Sequence, residues 1–126
     1  MRFEFSTVTR VSFGAGAARE LPRLAAAFGP RVLVVSNTTV QCPLPDDTLL
    51  LAVQGEPTVH FAREGARLAK QENVDVVIGV GGGSAIDAAK AIASLAANPG
   101  DPLDYLEVIG RGRPLERPSL PFLAVP

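Results

Sequence analysis

A glycine turn that joins a strand to a helix constrains this chain more than any other feature of its sequence. Residues 74–80 are apolar and largely β-branched, which is typical of a strand buried on both faces of a parallel sheet. Residues 84–97 are rich in alanine and repeat apolar side chains about every 3.6 residues, which predicts a helix. Gly81, Gly82 and Gly83 join the two, so the chain turns directly from strand to helix. This pattern predicts an α/β fold.

The chemistry of this turn favours binding of a phosphate group. A strand-to-helix turn presents bare backbone N–H groups and the positive end of the helix dipole, and glycine lets an anion approach the main chain closely. Residues 79–84 read G-V-G-G-G-S, which nearly fits G-x-G-x-x-G with serine in the last position. We therefore interpret the turn as a phosphate or pyrophosphate cradle, with a purely structural turn as the alternative.

Two better-known phosphate motifs do not fit this region. The standard dinucleotide fingerprint needs a second strand that ends in an acidic residue about 20 residues later. Here residues 98–102 (N-P-G-D-P) have loop composition instead, so a residue that reads the ribose would come from elsewhere in the chain. A P-loop is excluded because no Lys-Ser or Lys-Thr pair follows the glycines.

The rest of the sequence predicts a mostly parallel sheet flanked by helices, in one domain over residues 1–126. Near the start, alternating Phe3 and Phe5, followed by Val11 and Phe13, predict a short β-hairpin. The other predicted elements are a helix over 17–28, strands over 32–35 and 49–53, a helix from the N-cap Thr58 to about Glu72, and a strand over 120–125.

Composition excludes several classes of partner. The formal net charge is −1 and 20% of the residues are charged, so no basic surface argues for a nucleic-acid partner. No apolar run approaches the ~20 residues that a membrane-spanning helix needs, so no membrane partner is expected. Cys42 is the only cysteine, which excludes an intrachain disulfide and favours the reducing cytoplasm. The last predicted strand runs directly to Pro126, which suggests a cut within a larger protein.

Residues 79–93 (G-V-G-G-G-S-A-I-D-A-A-K-A-I-A) resemble the cofactor motif of the iron-containing (group III) alcohol dehydrogenase family, within the dehydroquinate synthase-like superfamily. The resemblance extends over nearly the whole chain except residues 38–47. Its other supporting segments are F-G-A-G at 13–16, E-P-T at 56–58, N-P-G-D-P-L-D-Y at 98–105 and P-F-L-A-V-P at 121–126.

The resemblance implies a function as well as a fold. It implies that residues 1–126 form a Rossmann-like NAD(P)-binding domain, the dinucleotide-binding half of a metal-dependent alcohol dehydrogenase. In such enzymes hydride passes between NAD or NADP and a small alcohol, aldehyde or ketone, while Fe²⁺ or Zn²⁺ polarises the alcohol oxygen. Homo-oligomers are common in the family. A non-catalytic nucleotide- or phosphate-binding α/β module is the alternative.

The resemblance also implies which residues bind the cofactor. Gly81, Gly82, Gly83 and Ser84 match the positions that hold the pyrophosphate, in agreement with the chemistry of the turn. Asp87 matches an aspartate near the nicotinamide end of the site.

The candidate polar residues outside the turn also have purely structural explanations. Asp87 could instead be an acid in the first helical turn that complements the dipole, and Lys90 could form a helix-surface pair with it. Asn37 follows the strand at 32–35, where the family often has an aspartate that reads the adenosine ribose, so NADP becomes at least as plausible as NAD. Asn37 could also simply end a strand in a turn.

Two departures from the family accompany these matches. The family's metal ligands, an aspartate and histidines, belong to a C-terminal helical domain, which the resemblance places outside residues 1–126. His60, the only histidine, is expected on the surface of a helix, so no residue of the chain is assigned to metal. The connection over residues 38–47 has two prolines, and it is too short for the usual crossover. The next strand is therefore expected at an edge, or a missing helix leaves one sheet face exposed.

Overall fold

A computed structural model describes residues 10–126, which contain one four-stranded parallel sheet flanked by helices. The strands are β1 (Val32–Ser36), β2 (Leu49–Ala52), β3 (Val76–Val80) and β4 (Phe122–Val125), and the helices are α1 (Leu21–Ala26), α2 (Val59–Gln71), α3 (Gly83–Ala97) and α4 (Pro102–Tyr105). A 3₁₀ turn over Ala17–Glu20 precedes α1. The strand order in the sheet is β2-β1-β3-β4, so β1 and β3 occupy its middle.

Both faces of the central strands are covered, which explains their unbroken apolar sequences. Side chains alternate between the two faces of a strand. Leu33, Val35 and Val77 face one side of the sheet and pack with α2 and α3, whereas the side chains that alternate with them pack on α1. All five residues of β3 are buried. The predicted α/β class with a parallel sheet is therefore confirmed.

The connection over residues 38–47 covers the sheet without forming a helix. Val40, Cys42 and Leu44 pack against the same cluster as α1, and the buried residues of β1 and β3 on that face stay inaccessible to solvent. The expectation of an exposed face is therefore wrong for the central strands. It holds only at β2, an edge strand as predicted, where Leu50 is 65% exposed.

The start of the described chain differs from the prediction. Val11 and Phe13 belong to no strand within residues 10–126 and are 72% and 99% exposed. The other predicted strand of the hairpin, at Phe3 and Phe5, falls in residues 1–9, outside the described residues. The helix predicted over 17–28 is divided into the 3₁₀ turn and the shorter α1, and Pro22 lies in the first turn of α1.

A buried asparagine fastens the loop that follows α4 to the end of α3. Asn98 is 1% exposed, and its side-chain nitrogen donates to the carbonyl oxygens of Ser94 (2.8 Å) and Arg117 (2.9 Å). Its side-chain oxygen accepts from the backbone N–H groups of Glu116 and Arg117, both at 2.8 Å. These four bonds satisfy every polar atom that burial of the amide removes from water.

An ion pair joins α2 to the N-cap of α4. Arg63 Nε and Nη2 lie 2.5 Å and 3.0 Å from the two carboxylate oxygens of Asp101, which also accepts from the backbone N–H of Leu103. The hydrogen bond from Arg63, and then the one from Leu103, lower the pKa of Asp101 from 3.8 to about 2. Because this pKa is depressed in the folded state, the carboxylate stabilises the fold above pH 3.8, and that stabilisation is lost as the pH falls towards 2.

We expect the Asp101→Asn variant to lose less thermal stability than the wild type between pH 5 and pH 2. The variant has no titrating group at this contact, so the proton uptake that accompanies unfolding of the wild type is removed. Thermal midpoints measured across this range test the expectation, and Arg63→Gln should reduce the pH dependence in the same way. If the thermal midpoint falls with pH equally steeply in the wild type and both variants, the ion pair does not contribute to acid unfolding.

No helix of residues 10–126 has both the length and the apolar composition needed to cross a membrane.

Candidate functional site

The candidate site lies at the carboxyl ends of the two central strands. From β1 the chain continues to β2 on one side, and from β3 it continues to β4 on the other, which opens a crevice between β1 and β3. In parallel α/β sheets, ligands bind at such a reversal of strand order. Asn37 follows β1 and the glycine turn follows β3, so the structure brings these two separately predicted features together.

The glycine turn is held in place by contacts with the rest of the protein. Gly81 has φ +117°, a backbone conformation that residues with a side chain rarely adopt. Its N–H donates to the carbonyl oxygen of Val125 at 2.9 Å. Gly82 is the N-cap of α3, and its carbonyl accepts from the N–H groups of Ala85 and Ile86. α3 therefore begins at Gly83, one residue earlier than predicted.

Asn37 ties the turn to the end of β1. Its Oδ1 accepts from the N–H of Gly82 at 3.1 Å, and its Nδ2 donates to the hydroxyl of Ser84 at 2.9 Å. The turn was expected to present three bare glycine amides. That expectation is wrong for Gly81 and Gly82, whose amides are engaged by the protein itself.

Two amides at the start of α3 remain available. Gly83 N–H and Ser84 N–H donate to no acceptor in the described part of the chain, as is usual for the first residues of a helix. The Ser84 hydroxyl accepts from Asn37 and donates to none of these residues. Three donors are thus grouped where the positive end of the helix dipole also attracts an anion.

The glycines of the motif serve different purposes. A β-carbon at Gly79 would lie 3.1 Å from both the Cα of Ile86 and the Cβ of Ala89, so this glycine lets α3 pack closely on β3. A β-carbon at Gly83 would meet no atom within 4 Å, so this side of the turn is open to a ligand. A phosphate group fits this arrangement because the donors line an opening that side chains do not fill.

Asp87 is exposed and lies on the same face of α3 as the open end of the turn. It is the fifth residue of the helix, one turn after Gly83, so the explanation as a first-turn acid is wrong. No ion pair within 4.0 Å joins Asp87 to Lys90, and the Asp87 carboxylate forms no hydrogen bond with another described residue. Neither of the two structural explanations, a first-turn acid or a pair with Lys90, therefore accounts for this aspartate.

A cleft of about 780 Å³ lies beside the turn on the α1 side of the sheet. Its wall includes Gly81 from the turn, Val125 from β4, and Arg19, Thr38 and Gln41. Sequence reasoning did not select the last three of these, because only the fold brings the 3₁₀ turn next to the end of β1. No acidic residue lines the cleft among the residues described, so its wall is neutral to positive.

The described residues do not provide a metal site. Within residues 10–126, no group of three or more His, Cys, Asp or Glu side chains is arranged to hold a metal ion. His60 is exposed at the second position of α2. The donor set of the described residues therefore fits a phosphate-bearing cofactor and does not fit a metal ion.

Comparison with known proteins identifies the family. The model of the iron-containing alcohol dehydrogenase family matches residues 8–126. The chain belongs to this family. The resemblance noted at residues 79–93 is therefore confirmed.

Relatives within the iron-containing alcohol dehydrogenase family are much longer than this chain. NADH-dependent butanol dehydrogenase B of Clostridium acetobutylicum is 31% identical over 118 residues, which cover 82% of this chain and 30% of that protein. Long-chain-alcohol dehydrogenase 1 of Geobacillus thermodenitrificans is 47% identical over 72 residues, 57% of this chain and 16% of the relative. The crystal structure of NADH-dependent butanol dehydrogenase A from Thermotoga maritima matches with a TM-score of 0.78 and 26% identity, over 98% of this chain and 34% of that structure.

Proposed function

We propose that this chain is the dinucleotide-binding half of an NAD(P)- and metal-dependent alcohol dehydrogenase that interconverts small alcohols with aldehydes or ketones. The observation that carries the proposal is the group of three hydrogen-bond donors at the start of α3, placed where the strand order reverses. Family membership supports it, and two of the relatives are named as NADH-dependent butanol dehydrogenases.

In this proposal the residues at the start of α3 bind the pyrophosphate of the cofactor. The N–H groups of Gly83 and Ser84, together with the Ser84 hydroxyl, donate to phosphate oxygens, and the helix dipole adds to the attraction. Gly83 keeps this side free of a β-carbon, and Gly81 gives the turn its shape. Asp87, one helical turn further on the same face, is proposed to lie towards the nicotinamide.

The cleft beside the turn is proposed to receive the adenosine end of the dinucleotide. Asn37 is neutral and the cleft has no acidic wall residue among those described, so no carboxylate would repel a 2′-phosphate. Arg19 and Thr38 could donate hydrogen bonds to such a phosphate. We therefore propose NADP as well as NAD as cofactor.

The separate roles of the cofactor, this chain and the metal in the proposed reaction follow from these residues. The bound nicotinamide supplies the group that accepts or donates hydride, and this chain binds and orients it. Fe²⁺ or Zn²⁺ and the alcohol would be held by residues other than those described, in keeping with relatives about three times as long. A cytoplasmic location and a homo-oligomeric state belong to the proposal too, and sedimentation velocity would measure the latter.

We expect the protein to bind NADH or NADPH and Gly83→Val to lower that affinity at least about tenfold. A valine side chain would fill the opening beside the free amides, and the lost hydrogen bonds to charged oxygens would be worth about 1.5 kcal/mol or more. Because a β-carbon at Gly83 meets nothing within 4 Å, the free energy of unfolding should change by no more than about 1 kcal/mol. Calorimetric titration and urea unfolding measure the two quantities.

Ala97→Val, at the other end of α3, is the matched control and should bind like the wild type. If the wild type binds neither dinucleotide, the proposed function is wrong. If Gly83→Val binds as tightly as the wild type, the pyrophosphate does not lie at this turn. Binding without turnover by the protein purified in its complete form would favour the non-catalytic module.

A further inference from the structure

We propose that Asn37 determines the direction of hydrogen bonding at the phosphate-binding turn. Because Asn37 can only donate to the Ser84 oxygen, the Ser84 hydroxyl donates its own hydrogen to the bound diphosphate. This inference rests on the proposed function, since it assigns a role within the same site. It makes Asn37 a positioning residue that acts through Ser84, in place of the ribose-reading role that the family resemblance implies for this position.

The hydrogen-bond pattern determines which way the Asn37 amide points. A backbone N–H can only donate, so the Asn37 atom 3.1 Å from Gly82 N must be the carbonyl oxygen Oδ1. The other end of the amide is then the NH₂ group, which has hydrogens but accepts nothing. The Ser84 oxygen, 2.9 Å from this nitrogen, must therefore be the acceptor.

The direction of this bond leaves the serine hydrogen for a ligand. A hydroxyl has one hydrogen and two lone pairs, and Asn37 uses one lone pair. The hydrogen atom of the Ser84 hydroxyl is donated to no other described residue. The N–H groups of Gly83 and Ser84 also lack acceptors within the same part of the chain. All three donors belong to the first two residues of α3, where phosphate oxygens would accept from them together.

A carboxylate of the same shape would reverse the arrangement. An aspartate at position 37 has no hydrogen to give, so it would accept from Gly82 N–H and also from the Ser84 hydroxyl. The serine would then turn a lone pair towards the ligand, and the added negative charge would repel the diphosphate. The amide of Asn37 therefore matters by its chemistry, because the isosteric acid could form the same two contacts with the opposite consequence.

The test is a double-mutant cycle with inorganic pyrophosphate as the probe, which has no ribose and so isolates the phosphate contact. Binding is followed by the backbone amide NMR shifts of Gly83 and Ser84. We expect Asn37→Asp to weaken pyrophosphate binding at least about tenfold and Ser84→Ala about tenfold. In the Ser84→Ala background, the loss of pyrophosphate affinity caused by Asn37→Asp should be at least about threefold smaller, because the hydroxyl that would donate to the aspartate is absent.

Rescue and stability measurements separate this role from a structural one. Ser84→Thr keeps a hydroxyl and should retain affinity within about threefold, and the thermal midpoints of all variants should stay close to that of the wild type. Strictly additive effects of Asn37→Asp and Ser84→Ala, or an Asn37→Asp variant that binds as well as the wild type, would overturn the inference while leaving the proposed function intact. A wild type that binds neither pyrophosphate nor NADH would overturn both.

Discussion

Replacing Gly81 with alanine is expected to remove detectable dinucleotide binding and to lower the free energy of unfolding by about 2–4 kcal/mol. The backbone at Gly81 has φ +117°, which strains any residue with a side chain. An added β-carbon would also overlap Oδ1 of Asn37 and lie 3.3 Å from Cγ2 of Thr38. Asn37 would have to move away, which breaks its bonds to Gly82 and Ser84. Urea unfolding and titration with NADH measure the two effects.

Gly55→Ala provides the matched control for this experiment. Gly55 also has a positive φ, +66°, but a β-carbon there would meet nothing within 4 Å. The control should therefore lose only about 1 kcal/mol of stability, from backbone strain alone, and should keep its affinity for the dinucleotide. If Gly81→Ala behaves like Gly55→Ala in both measurements, the contact between Gly81 and Asn37 does not shape the site.

Asn98→Ala should lower the free energy of unfolding by about 3 kcal/mol. The substitution removes the partner of two backbone N–H groups and two backbone carbonyls that form part-buried hydrogen bonds with Asn98, and each such loss costs about 1 kcal/mol. Hydrogen exchange should show the amides of Glu116 and Arg117 losing protection, because Asn98 is their acceptor. Asn98→Asp should also destabilise the protein, since it removes both donors and buries a charge.

Gln54→Ala is the control for this second prediction. Gln54 is exposed in the loop before α2, so its truncation should change stability by no more than about 0.5 kcal/mol. An Asn98→Ala variant as stable as Gln54→Ala would mean that the loop over 111–118 is held by other contacts. A loss of stability without loss of amide protection would place the effect within α3.

The strands and helices were predictable wherever burial or capping leaves a local pattern. β1 and β3 are buried on both faces, so each is an unbroken apolar run, and both were located to within two residues. Thr58 was expected to cap a helix, and its hydroxyl does accept from the N–H of Phe61 at 3.0 Å. α1 was predicted less well because the residues before Leu21 form a 3₁₀ turn, which has nearly the same spacing of apolar side chains.

The covering of the sheet by residues 38–47 could not be predicted. These residues have neither a helical nor a strand period, so the local pattern contains no signal of burial. Val40, Cys42 and Leu44 nevertheless pack beside α1, because the chain must pass over that face to reach β2. The identity of an irregular segment's neighbours depends on where the rest of the chain has placed the sheet.

The sequence by itself determined the parallel α/β class, the family, and the position of the turn at Gly81 to Ser84, because strand, turn and helix propensities are local properties of consecutive residues. Only the tertiary structure decided which amides of that turn remain available. Gly81 N–H is taken by Val125 and Gly82 N–H by Asn37, both more than 40 positions away in the chain. A hydrogen bond depends on distance in space, and residues so far apart meet only after the sheet has brought the ends of β1, β3 and β4 together.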